Sequence, residues 1–132
     1  MSSKPETTFI ASVHKHLPKD LYHMKNHNQY NGGIADVWYS GSKADLWIEY
    51  KFVKLPTRDT TPITPGLSEL QQLWLRERHS EGRSVGVVVG AKEGGIWLPG
   101  ISWSTALTAK KFRELLCSRA QIAQLIVSQT IG

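Results

Sequence analysis

Apolar positions along the chain follow two periods, and the switches between them outline a fold. Phe9, Ile10 and Val13, with Leu17 one turn on, recur at helical spacing and predict a helix over residues 3–17. Ser3 with Glu6 three residues later is a capping-box pattern, Pro5 suits a first turn, and Pro18 ends the helix. A short strand is expected at 21–25. Two β-rich runs follow, one opening at Asp36 and one at 46–53, with Ser40, Gly41 and Ser42 turning between them as a hairpin. In the second run Ile48, Tyr50 and Phe52 take one face and Glu49 and Lys51 the other. The apolar side is expected to meet a core, leaving acid and amine together on the opposite surface.

Residues 67–80 return to the helical period, with Leu67, Leu70, Trp74 and Leu75 as the apolar stripe. Gln71 falls inside that stripe, where a polar amide needs a partner. Gln72 is expected to be more exposed, and Arg76, Arg78 and His79 to face solvent. The β-branched run 83–90 reads as a central buried strand, and 96–98 pairs back on it. From about 105 to the late 120s, Phe112, Leu115, Leu116, Ile122 and Ile126 keep helical spacing, with a break near Ser118. Such a terminal segment either closes the core or forms a dimer interface. The order helix, strand, strand, strand, helix, strand predicts an α/β fold with a mixed sheet and a crossover helix between 53 and 83. One domain over 1–132 is expected, with a core over 3–98 and a helical extension over 104–130.

Composition narrows the function without choosing it. The chain of 132 residues carries 16 Lys and Arg against 11 Asp and Glu, a net charge of +5. That balance favours a polyanionic partner. No apolar run is long enough to span a membrane, the opening residues carry no apolar leader, and the lone Cys117 fits a reducing compartment. A cytoplasmic protein with no membrane partner is therefore expected, with Cys117 as core filler. Among the five histidines no spacing matches a structural zinc site. The glycine pairs lack nucleotide-cradling spacing.

The candidate chemistry lies at the hairpin. If its two runs pair, Asp36 reaches the edge that carries Glu49 and Lys51. Two carboxylates about 5 Å apart repel by roughly 3 kcal/mol at an effective dielectric near 20, so a positive group belongs between them. Hard oxygen donors suit Mg²⁺ or Mn²⁺. Such an ion, with Lys51 placing a water, outlines a site for phosphodiester hydrolysis. Glu6 has two readings, a cap or a third acid over the hairpin. Lys25 and Asn26 lead into the polar, aromatic segment 26–31, suited to touching phosphates. The loop 54–66, with three prolines and four threonines, offers Lys54 and Arg58 to a nucleic-acid backbone.

In this order the residues resemble the PD-(D/E)xK nuclease superfamily, and most of all the small stand-alone VRR-NUC domains of phages. The blocks that carry the resemblance are Gly33-Ile34-Ala35-Asp36, Glu49-Tyr50-Lys51 and Leu67-Ser68-Glu69-Leu70-Gln71-Gln72-Leu73-Trp74-Leu75. They fall within a likeness covering roughly residues 6–90, and Ala35 stands where the family usually has proline. The resemblance implies a restriction-endonuclease-like αβββαβ core and a metal-dependent DNA endonuclease, with cytoplasmic action in a host cell if phage-encoded. It implies metal binding by Asp36 and Glu49, help to the attacking water from Lys51, and Gln71 and Glu6 completing the catalytic set. Branched or flapped DNA, including Holliday junctions, is the implied substrate, and symmetric junction cutting implies a homodimer. The competing expectations are a non-catalytic nucleic-acid-binding module on the same fold and a protein with an unrelated small ligand.

Overall fold

The computed structural model describes residues 3–26 and 32–132. Its elements run in the order α1 (Lys4–His14), β1 (Tyr22–Lys25), β2 (Val37–Ser40), β3 (Asp45–Phe52), α2 (Glu69–Ser80), β4 (Val85–Ala91) and β5 (Gly94–Pro99). A 3₁₀ turn (Ser102–Ser104), α3 (Ala109–Leu115) and α4 (Arg119–Thr130) complete it. The five strands lie in sequence order in one sheet. Only β3 and β4 are parallel, joined across α2, while the other neighbours are antiparallel. This is the αβββαβ order and mixed sheet read from the sequence.

Helices cover both faces of the sheet. On one face α1 and α4 bring Phe9, Ile10, Val13, Ile122, Ala123 and Ile126 against Ile48, Tyr50 and Val88. On the other, Leu75 of α2 and Ala109 and Phe112 of α3 meet Val85, Val87 and Val89. Alternation along β3 thus feeds two cores, as the period of a strand requires. Every residue of β4 is buried, as its uninterrupted apolar run predicts.

Several details differ from the sequence reading, each for a tertiary or capping reason. Helix α1 ends at His14, before the expected 17, and main-chain bonds from His16 and Leu17 turn the chain towards Pro18. The terminal segment is two helices, because Ser118 caps α4 with a complete capping box. Phe112, Ile122 and Ile126 lie inside the cores, so this segment closes the fold, while Leu115 stays exposed. Leu70 is 58% exposed although it lies at a stripe position, because only the Leu75 side of α2 reaches the sheet. Arg78 is half-buried against Trp74, not solvent-facing. Ile63 pins the proline-rich loop to the second core, and Pro62 bridges to Thr108. Half-buried Cys117 packs against the first core while its main chain pairs with Gly95. No helix among the described residues is long and apolar enough to cross a membrane.

Candidate active site

Strand β3 places Glu49 and Lys51 on the α2 face of the sheet, two residues apart. The expectation that this pair lies on an open surface is corrected here. Glu49 is only 2% exposed, because α2 packs over it. Its neighbour Lys51 is half-buried, with Nζ 3.7 Å from Glu49 Oε2.

Gln71 explains how α2 tolerates a polar residue in its packing face. Its Oε1 accepts from the Ser68 N–H (2.9 Å) and its own N–H donates to Ser68 Oγ (3.2 Å), closing a capping box. The other end of the same amide, Nε2, donates to Glu49 Oε2 at 3.0 Å. One side chain therefore starts the helix and holds the buried carboxylate. Gln72 is half-buried like Gln71, and its Nε2 donates to the Leu67 carbonyl.

Asp36 precedes β2 and reaches across to β3, where its Oδ2 accepts from the Tyr50 N–H at 2.9 Å. The glycine before it makes this approach feasible. Gly33 has φ +99°, and a Cβ there would lie 2.5 Å from the Leu70 carbonyl oxygen of α2. Close contact of this turn with the first turn of α2 thus brings Asp36 and Gln71 to the same carboxylate. Asn26 serves the same turn: its N–H donates to the Asp36 carbonyl (2.7 Å) and its Nδ2 to the Ile34 carbonyl (3.5 Å). Asn26 thus holds the turn that carries Asp36, a contact that neither composition nor spacing signalled.

The electrostatics match the geometry. Burial, and then the Asp36 charge, push the Glu49 carboxyl up to about 9, against a smaller pull from Lys51. Glu49 Oε1 is buried and receives no N–H or O–H from the surrounding groups, and a side-chain hydrogen bond with Asp36 helps raise the carboxyl, so the two acids share a proton. Glu6 is also drawn in: burial pushes its carboxyl up, Lys51 pulls it down and Asp36 pushes it up again. Hydrogen bonds from Ser3 also favour its charged form. The cap of α1 is the Ser3 Oγ, which accepts from the Glu6 N–H at 3.3 Å, and the Glu6 carboxyl lies within electrostatic reach of Lys51 and Asp36.

The remaining expected contacts lie elsewhere. Lys54 and Arg58 are exposed and line one hollow with Pro56 and Thr61. Lys25 is half-buried on β1, close enough to His14 to depress its imidazole. The rest of the segment expected to touch phosphates, 27–31, is outside the described residues. Among those described, no group of three or more His, Cys, Asp or Glu side chains is arranged to hold a metal ion. A cation here would draw on Asp36, Glu49 and donors of other kinds. The donor-free Oε1 and the mutual repulsion of the two carboxylates fit a hard divalent cation.

The element order and the mixed sheet define a restriction-endonuclease-like α/β fold. The Holliday junction resolvase Hjc of Archaeoglobus fulgidus, an archaeal hyperthermophile, has a similar solved structure. The TM-score is 0.59, the likeness covers 92% of this chain and 97% of that chain, and sequence identity is 16%. It is a likeness of fold. No family model matches the chain, and no curated protein matches it.

Proposed function

We propose that the chain is a divalent-metal-dependent DNA endonuclease of the PD-(D/E)xK type, selective for branched or flapped DNA. The observation that carries this reading is the meeting of Asp36, Glu49, Lys51 and Gln71 around a buried carboxyl that only a proton shared between the two acids completes. Similarity of fold to a Holliday junction resolvase supports the substrate class.

Asp36 and Glu49 would hold Mg²⁺ or Mn²⁺, which when bound polarises a phosphate oxygen and makes water a stronger nucleophile. Gln71 keeps the Glu49 carboxylate in place through the bond from its Nε2, and the Tyr50 N–H does the same for Asp36. Lys51, anchored on a rigid strand, orients the attacking water and offsets negative charge growing on the phosphate. Glu6 completes the acidic margin. Lys25, Lys54 and Arg58 would track the DNA backbone.

Symmetric cutting of a four-way junction needs two sites, and we propose a homodimer. Tyr22 and Met24 on edge strand β1 and Leu70 and Leu73 on α2 are exposed apolar side chains. Ring contacts through Trp38, Trp47 and Trp74 connect the two elements. An uncovered edge strand beside apolar side chains suits an isologous contact.

The test is cleavage of labelled duplex, single-strand, flap, splayed-arm and four-way-junction DNA with Mg²⁺, Mn²⁺ or EDTA. We expect metal-dependent cutting that falls by about 10²–10⁴-fold in Lys51→Ala, the range for loss of a positioned proton-transfer group. Folded, DNA-binding protein that cuts nothing would favour the non-catalytic module. Equal cutting by Lys51→Ala would remove the site.

A further inference from the structure

At the carboxyl ends of the parallel strands β3 and β4, on the face opposite Glu49 and Lys51, a hollow of about 440 Å³ opens between α1 and α4. Pro5, Phe9 and Phe52 form its apolar wall, and Lys4, Lys92 and Arg119 are its charged residues, with no acidic side chain in the lining. Lys4 and Lys92 are exposed. The Arg119 guanidinium lies 4.9 Å from the centre of the Phe9 ring. It is locked there by a bond from Nε to Ser12 Oγ (2.8 Å) and two longer bonds, each 3.4 Å, to the carbonyls of Ala91 and Lys92. A planar cation is thus fixed beside aromatic rings, with two exposed cations nearby.

We infer that this hollow holds an unpaired stretch of nucleic acid. Unpaired strands are bound by cations that follow the phosphates and by ring or guanidinium faces on which bases stack. A blunt duplex keeps its base faces inside its own stack and meets only the cations. The position links the hollow to the candidate active site. Phe52 follows Lys51, Pro5 precedes Glu6, and Lys92 follows the last residue of β4. Crevices outside the carboxyl ends of parallel strands are where open α/β sheets place ligands. Resting on the nuclease reading, this assigns the substrate a single-stranded arm held at the carboxyl edge of the sheet, across β3 from the reacting groups.

The experiment is fluorescence anisotropy in EDTA with the full chain, a labelled oligothymidylate and a blunt duplex of equal length. The variants are Lys4→Glu/Lys92→Glu and Phe52→Leu, the second keeping apolar volume while removing the ring. We expect each to weaken oligothymidylate binding by about tenfold or more, as loss of one stacking or backbone contact does, and duplex binding by less. Should Phe52→Leu not fold, the double charge reversal on exposed residues still decides. The inference is overturned if the wild-type chain ignores oligothymidylate, if both variants bind it normally, or if the two DNAs weaken by the same factor. Because no metal is present and no cleavage is read, the two proposals fail separately. Selective binding by a protein that never cuts would keep the hollow and end the nuclease reading.

Discussion

The two faces of β3 treat buried polar groups in opposite ways. Towards α1 and α4, the Tyr50 hydroxyl meets that of Tyr39 at 2.6 Å, and Tyr39 in turn meets His14 Nε2 at 2.8 Å. Burial keeps all three neutral, raising both phenols and lowering the imidazole to about 4. Towards α2, one residue earlier, Glu49 is held by Gln71 through one oxygen while the other has no fixed donor, and burial also pushes its carboxyl up. Depth is similar on both sides. What differs is saturation: fixed donors and acceptors close the hydroxyl chain, whereas beside Glu49 only a proton shared with Asp36 completes the set, which is the opening a cation would use under the proposed function. Perturbed ionisation by itself would not have told these faces apart.

Matched substitutions on β3 break the comparison most strongly. Glu49→Gln should abolish metal-dependent cutting, yet stabilise the metal-free protein at pH 8. The folded carboxyl binds a proton that the unfolded one has released, so stability falls as pH rises from about 4.5 through about 9. In the glutamine variant that slope flattens, and the melting temperature at pH 8 should rise by several degrees. Tyr50→Phe should do the reverse, costing about 1 kcal/mol by opening a satisfied pair. Thermal melts of the two across pH 5–9 check this, and destabilisation by both would erase the distinction between the faces.

A smaller effect tests how the ligand-poised face is assembled. Gly33→Ala should cost about 1–3 kcal/mol, because it forces a left-handed conformation and a clash with the Leu70 carbonyl. The loosened turn should also weaken Mn²⁺ binding, measured by calorimetry, and unchanged affinity would separate the turn from the site.

The smallest effect concerns the closed face. The imidazole of His14 is held below its ordinary value by burial first, then by His23 and Lys25. The unfolded chain therefore takes up a proton that the folded one refuses. The stabilisation is complete above about pH 6.5 and is lost as pH falls towards about 4. Between about pH 4.5 and 6.5 this slope runs against that of Glu49, so it should appear in denaturant melts of Glu49→Gln and shrink when His14→Gln is added.

Much of this architecture was readable before any coordinates. The helical period ended by Pro18, the alternation of β3 and the continuous run of β4 are local signals, and each produced its element. The helix over 67–80 and the break near Ser118 were also read locally, and the structure shows why: Ser68 and Ser118 cap α2 and α4 through side-chain to backbone bonds spanning three residues. Asp36, Glu49, Lys51 and Gln71 could be singled out since their residue types and order fit one chemistry. Less local features escaped. Leu70 sits in a helical stripe that half faces solvent, and Asn26 binds a turn ten residues away.

The sequence by itself determined the order and period of the elements and which acids, amine and amide could act together, since these follow from spacing along one chain. Tertiary structure alone decided which side of each stripe was covered. It buried Glu49 beneath α2, closed the Tyr50–Tyr39–His14 chain and gathered Lys4, Phe52, Lys92 and Arg119 around one hollow. Those outcomes depend on long-range packing, where desolvation and the company of distant groups are set only after the sheet has its helices.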